Sequence, residues 1–148
     1  MKMIEIWNNG TKVWMENGKR HRVGGPAVEW ATGSVSYFVN GKRHRTDGPA
    51  EDYVNGYQAW FLNGKRHRVD GPAIICPDGS KQWFLYGERH RDDGPSTENA
   101  DGYKTWHTHG KLNRKNAPAM IKPDGSEQWW KNGKRHAPAY LTSQKITV

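Results

Sequence analysis

An offset of 23 residues lays the chain on itself without insertion from Asn17 to Lys131. A chain with a fixed short period folds as a row of like units, each burying its apolar face against the next. Five full units begin at Asn17, Asn40, Asn63, Tyr86 and His109. Residues 1–16 form an incomplete hairpin before them and residues 132–148 a shortened copy after them, the atypical ends expected of capping units. The expectation is one repeat domain over residues 1–148.

The columns of the repeat convert directly into local structure. One position is always aromatic (Trp14, Tyr37, Trp60, Trp83, Trp106, Trp129) and the next nearly so (Met15, Phe38, Phe61, Phe84, His107, Trp130). Glycine recurs in two turns, at Gly10, Gly33, Gly56, Gly79, Gly102 and Gly125, and at Gly18, Gly41, Gly64, Gly87, Gly110 and Gly133, the second mostly as Asn-Gly. Within one unit, 72–76 reads as a strand, Pro77-Asp78-Gly79-Ser80 as a tight turn and 81–85 as the returning strand. The segment 63–71 then reads as a basic loop leading to the next hairpin. Two strands per unit predict an all-β, elongated single-sheet meander of tandem β-hairpin repeats. Strands ~4.8 Å apart make this solenoid-like ribbon about 60 Å long.

Composition argues against folding until the order of residues is considered. Leu, Ile, Val and Phe number only 21 of 148, and the net charge is +8, values typical of disordered chains. Eight Trp and six Tyr supply the missing burial. Their unbroken 23-residue interval predicts a continuous core stripe. Cys76 is the sole cysteine, which excludes an internal disulfide. The N-terminal residues 1–7 carry no apolar signal region, and nothing approaches the ~20 apolar residues of a membrane span, so a cytoplasmic protein is expected.

Phe61-Leu62-Asn63-Gly64-Lys65-Arg66-His67 and the segment from Trp83 to Asp93 resemble the MORN repeat, in particular its bacterial, phage and large-virus variant. Two departures stand out. Arg22, Arg45, Arg68 and Arg91 replace the glycine that follows His in the usual pattern, and Asp-Gly-Pro-Ala is added in register at 47–50 and 70–73. The resemblance implies a MORN-like hairpin ribbon used for protein interaction, self-association or acidic-lipid binding. It also implies a phage- or virus-encoded inhibitor or adaptor acting on host machinery in the host cytoplasm.

Sixteen of the 23 Lys and Arg fall in the repeated loop, which places a basic stripe on one edge. Lys19, Arg20, Lys42, Arg43, Lys65, Arg66 and Arg89 flank the Asn-Gly turn and, with Arg91, are the candidate partner contacts. For the His column, the second Arg of each loop and Asp47, Asp70 or Asp93, the reading is structural, an Arg-to-Asp pair fastening one loop to the next. The variable first strand adds Trp30 and Tyr53, beside Glu51 and Asp52, as anchors for a protein partner. With the aromatics committed to the core, the loops are expected to offer no separate platform for bases.

Catalysis is not expected. His21, His44, His67 and His90 recur ~10 Å apart, too regular for one tuned general base and too far apart to share a metal. His107 and His109, with His90, are a weaker candidate for a metal site, and neither cofactor nor metal is expected. Three partner classes remain open. A protein partner on one ribbon face leads, a polyanion or phosphate-bearing ligand on the basic edge is the alternative, and a homodimer is the third.

Overall fold

A computed structural model describes residues 1–138, and within them every regular element is a β-strand. The ribbon begins with a five-residue hairpin, Lys2–Ile6 against Lys12–Glu16. From there the strands pair with their successors in an antiparallel meander. Lys12–Glu16 meets Val28–Glu29, which meets Val35–Ser36, which meets Glu51–Asp52, and so on to Glu127–Lys131 and Lys134–His136. The remainder of the C-terminal cap, 139–148, lies outside the described residues.

Each of the first four units holds four short strands rather than two, and the fifth holds three, its returning strand Glu127–Lys131 staying whole. The returning strand divides at the aromatic column, so Lys81–Gln82 stays in the main sheet while Phe84–Leu85 starts a second hairpin with Glu88–Arg89. The same hairpin recurs at Phe38–Val39 with Lys42–Arg43, Phe61–Leu62 with Lys65–Arg66, and His107–Thr108 with Lys111–Leu112. The expected loop 63–71 is therefore a strand at its start. Asn63 and Gly64 have φ of 51° and 83°. Two successive positive φ values make a type I′ turn, whose twist matches that of paired strands, so the basic residues after it are held in a ladder.

Register sorts the sheet into two faces. Val13, Val28, Ser36, Glu51, Ala59, Ile74, Gln82, Thr97 and Thr105 lie opposite one another in succession along the inner face. The outer row carries Lys12, Glu29, Val35, Asp52, Gln58, Ile75, Lys81, Glu98 and Lys104, with opposite charges side by side at Lys12–Glu29 and at Lys81–Glu98–Lys104. The second hairpins turn their phenylalanines onto the inner face. Phe38 packs with Val13, Ala27 and Val28, and Phe61 and Phe84 pack with Ala50, Ala59, Ala73 and Ile74. Ala27, Ala50, Ala73 and Ala119 have no exposed surface, so the two layers meet where a larger side chain would separate them.

The aromatic column is not the core stripe expected from its period. Trp14, Tyr37, Trp60, Trp83 and Trp106 are half-buried, and each carries a guanidinium on its ring. Equal spacing requires only that these rings share one environment. That environment is a covered ledge beside the core.

Candidate functional site

The loop after the second hairpin is built around its second arginine. Arg68 stacks on Trp60 at 4.0 Å, donates from Nε to Asp70 Oδ1 at 3.0 Å and from Nη1 to the Pro72 carbonyl at 3.3 Å. Arg45 repeats this on Tyr37, Asp47 and Pro49, and Arg91 on Trp83, Asp93 and Pro95. Planarity allows the ring stack and the in-plane hydrogen bonds at once, which an ammonium cannot reproduce. The hydrogen bond from arginine holds each of Asp47, Asp70 and Asp93 below the usual carboxylate range. The pair closes its own loop. The expected Arg-to-Asp bridge between successive loops is absent among these pairs, because two residues of separation bring Asp within reach of the Arg it follows.

Histidine makes the inter-unit link instead. His21 Nδ1 accepts from the Asn40 N–H at 3.0 Å, His44 from Asn63 at 3.1 Å, His67 from Tyr86 at 3.1 Å and His90 from His109 at 3.2 Å. The donor in each case is the first residue of the next type I′ turn. In the fifth unit Asn113 Oδ1 takes the role, accepting from Asn132 at 3.0 Å. What the position requires is an acceptor lone pair, and Asn supplies one as His does.

The predicted contacts divide between two ends of the ribbon's width. Lys19, Lys42 and Lys65 are exposed at the Asn-Gly turns, and their stems run along the glycine of the following turn, Gly41, Gly64 and Gly87. Arg20 and Arg43 flank Phe38 at 5.5 Å, and Arg66 and Arg89 flank Phe84 at 5.4 Å, so these guanidiniums shield core rings while remaining in reach of solvent. Arg43 also pairs with Glu51, a carboxylate only 5% exposed that accepts as well from Tyr53 Oη. Arg91 is held by Trp83, Asp93 and Glu98. Trp30 and Tyr53 lie at the other turns, half-buried, with Trp30 edge-on to Trp7 at 6.1 Å and Tyr53 tilted against Tyr57 at 5.5 Å. Of the two, Tyr53 is joined to the basic residues, since Glu51 Oε1 accepts from it and from Arg43, whereas Trp30 donates to Ser36 Oγ at 3.4 Å.

Two exposed rings at the basic turns run against the expectation that the loops hold no separate platform. Tyr86 is 63% exposed, and the His109 side chain is 71% exposed. Their signal was in the repeat itself, since both stand where the other units have Asn. His107, in contrast, points inward to Ser96 Oγ at 2.8 Å, and burial followed by the nearby Arg89 lowers its pKa to about 4. Among the described residues no group of three His, Cys, Asp or Glu is placed to hold a metal. No helix there is long and apolar enough to cross a membrane.

No protein-family model matches this chain, and no curated protein matches it.

Proposed function

We propose that the protein is a non-enzymatic repeat scaffold of MORN type that binds a partner protein in the cytoplasm, as a phage- or virus-encoded inhibitor or adaptor acting on its host. The observation that carries this reading is the use of the reactive-looking side chains. In unit after unit, the histidine is spent on a backbone N–H and the second arginine on a ring, a carboxylate and a carbonyl. What differs between units is surface. Exposed Trp7 and half-buried Trp30, Tyr53 and Tyr57 concentrate rings at the first turns of the N-terminal half, a composition suited to anchoring a protein.

A second reading places an anion on the basic edge, and exposed Lys19, Lys42 and Lys65 in one row favour it. Affinity capture from host lysate, with and without nuclease, separates the two. The protein-partner reading expects a discrete protein retained after nuclease and by Lys19→Glu/Lys42→Glu/Lys65→Glu, and lost with Trp30→Ala/Tyr53→Ala. Recovery of nucleic acid or a small anion that the triple variant fails to hold would replace it with the basic edge.

A further inference from the structure

Tyr86 and His109 occupy the first position of type I′ turns that Asn17, Asn40, Asn63 and Asn132 fill elsewhere. Their φ values are 48° and 46°, in the left-handed region where Asn is at ease and bulky rings are rare. A residue that opposes local preference twice in succession points to use rather than folding. Both rings stand out from the turn edge, and each is backed by the histidine of the preceding unit. Tyr86 lies on His67 at 4.1 Å and 32°, and His109 on His90 at 4.5 Å and 38°. The inner face of each ring is thus supported while the exposed surface of each residue faces solvent. Cations border the pair. The Lys65 stem runs along Gly87 next to Tyr86, and exposed Lys111 follows His109. Glu88 sits within the stretch, 3.6 Å from His109.

We infer that the turns at Tyr86 and His109 form a stacking site for the bases of single-stranded nucleic acid. Glu88 interrupts the lysine column between the two turns, leaving Lys65 and Lys111 on either side of it; supported aromatic faces flanked by such cations are the two parts these sites combine, rings for the bases and charge for the backbone. Units advance about 10 Å, so the two rings are about that far apart. Stacked bases in a duplex rise by roughly 3.4 Å, and only bases splayed from a single strand reach both rings. A duplex would use the cations and leave the rings idle, because its bases are already stacked on one another. The inference deepens the anion-binding reading of this edge by naming the ligand class, and it is independent of the protein partner at the opposite turns.

The test is fluorescence anisotropy with a labelled 12-nucleotide oligodeoxythymidine, a duplex of matched charge, and polyglutamate as competitor. Tyr86→Asn/His109→Asn restores the residue native to the other turns, so the fold is expected to persist, with circular dichroism as the check. Wild type should prefer the single strand, and the double variant should weaken it at least roughly tenfold while leaving duplex binding unchanged. Lys65→Glu should lower affinity for both and flatten the salt dependence. If the double variant binds the oligonucleotide as wild type does, or polyglutamate competes as well as the oligonucleotide, the stacking site is wrong and a charged edge alone remains. If wild type binds none of these polyanions, the anion-binding reading falls with it.

Discussion

His107 stands where Phe38, Phe61 and Phe84 stand in their units, and its contact Ser96 stands where Ala27, Ala50 and Ala73 do. A polar ring in an apolar column would be costly alone, and Ser96 offsets it with a hydroxyl at 2.8 Å from Nδ1. The pair also fixes a pH response. Burial holds the folded pKa at about 4 against an ordinary 6.5, so between these values the unfolded chain takes up a proton that the folded chain refuses. Stability is fully present above pH 6.5 and falls as pH drops toward about 4. Ser96→Ala/His107→Phe restores the common pair and removes this term. Urea midpoints at pH 7 and pH 5 should show the wild type losing more than the double variant, by up to about 1 kcal/mol once solvent screening of a half-exposed ring is allowed for. Equal losses would show that His107 is not the sensor.

Between elements, the first turns are fastened by a similar exchange. Thr11 Oγ1 accepts from the Ala31 N–H at 3.2 Å, Ser34 Oγ from Val54 at 3.2 Å and Ser80 Oγ from Ala100 at 3.0 Å, each donor twenty residues on. Tyr57 and Tyr103 interrupt the Ser/Thr column, and the residues twenty on are Pro77 and Pro123, which have no N–H to satisfy. Tyr57→Ser or Pro77→Ala alone should therefore gain nothing from this link, whereas the double change should create it. A double-mutant cycle is expected to give a favourable coupling of about 0.5–1 kcal/mol, and zero coupling would refute the link. These pairs show where the sequence was legible. The 23-residue period, the Asn-Gly and Gly turns and the all-β meander follow from columns whose chemistry has one outcome, such as positive φ at Gly79. Which columns touch was not legible, since periodicity equates environments without saying what they are. The period of the Trp60 column thus points to the core although Arg68 covers the ring, and the charge of Lys65–Arg66 masks a type I′ hairpin. The ring at Tyr86 is hidden in the same way, by a column whose majority residue is Asn.

Across the whole molecule, each sheet strand pairs with its neighbours in order, and the inter-unit links span one unit, nineteen or twenty residues. Such a ribbon is close to one-dimensional, with stability a sum over units and their junctions. Excising 23 residues should therefore leave a folded, shorter ribbon, and the choice of cut matters in a way the junctions dictate. Removing 57–79 joins Gly56 to Ser80, so Ser80 takes the place of Tyr57 and keeps Ala100 twenty residues on, while Tyr86 arrives where His44 can accept its N–H. Removing 63–85 preserves the frame equally well but sets Tyr57 against the Ala100 N–H, with no Oγ to receive it. Both variants should unfold cooperatively in urea with m lower by roughly a sixth, as 23 of 148 residues are gone, and the first should be the more stable by about 1 kcal/mol. Removing 20 residues, 57–76, joins Gly56 to Pro77 and sets two turns in succession without a strand between them, which should abolish cooperative unfolding. If that out-of-frame cut folds as well as the two in-frame cuts, the ribbon is not held by unit-to-unit register, and the one-dimensional account of its stability fails.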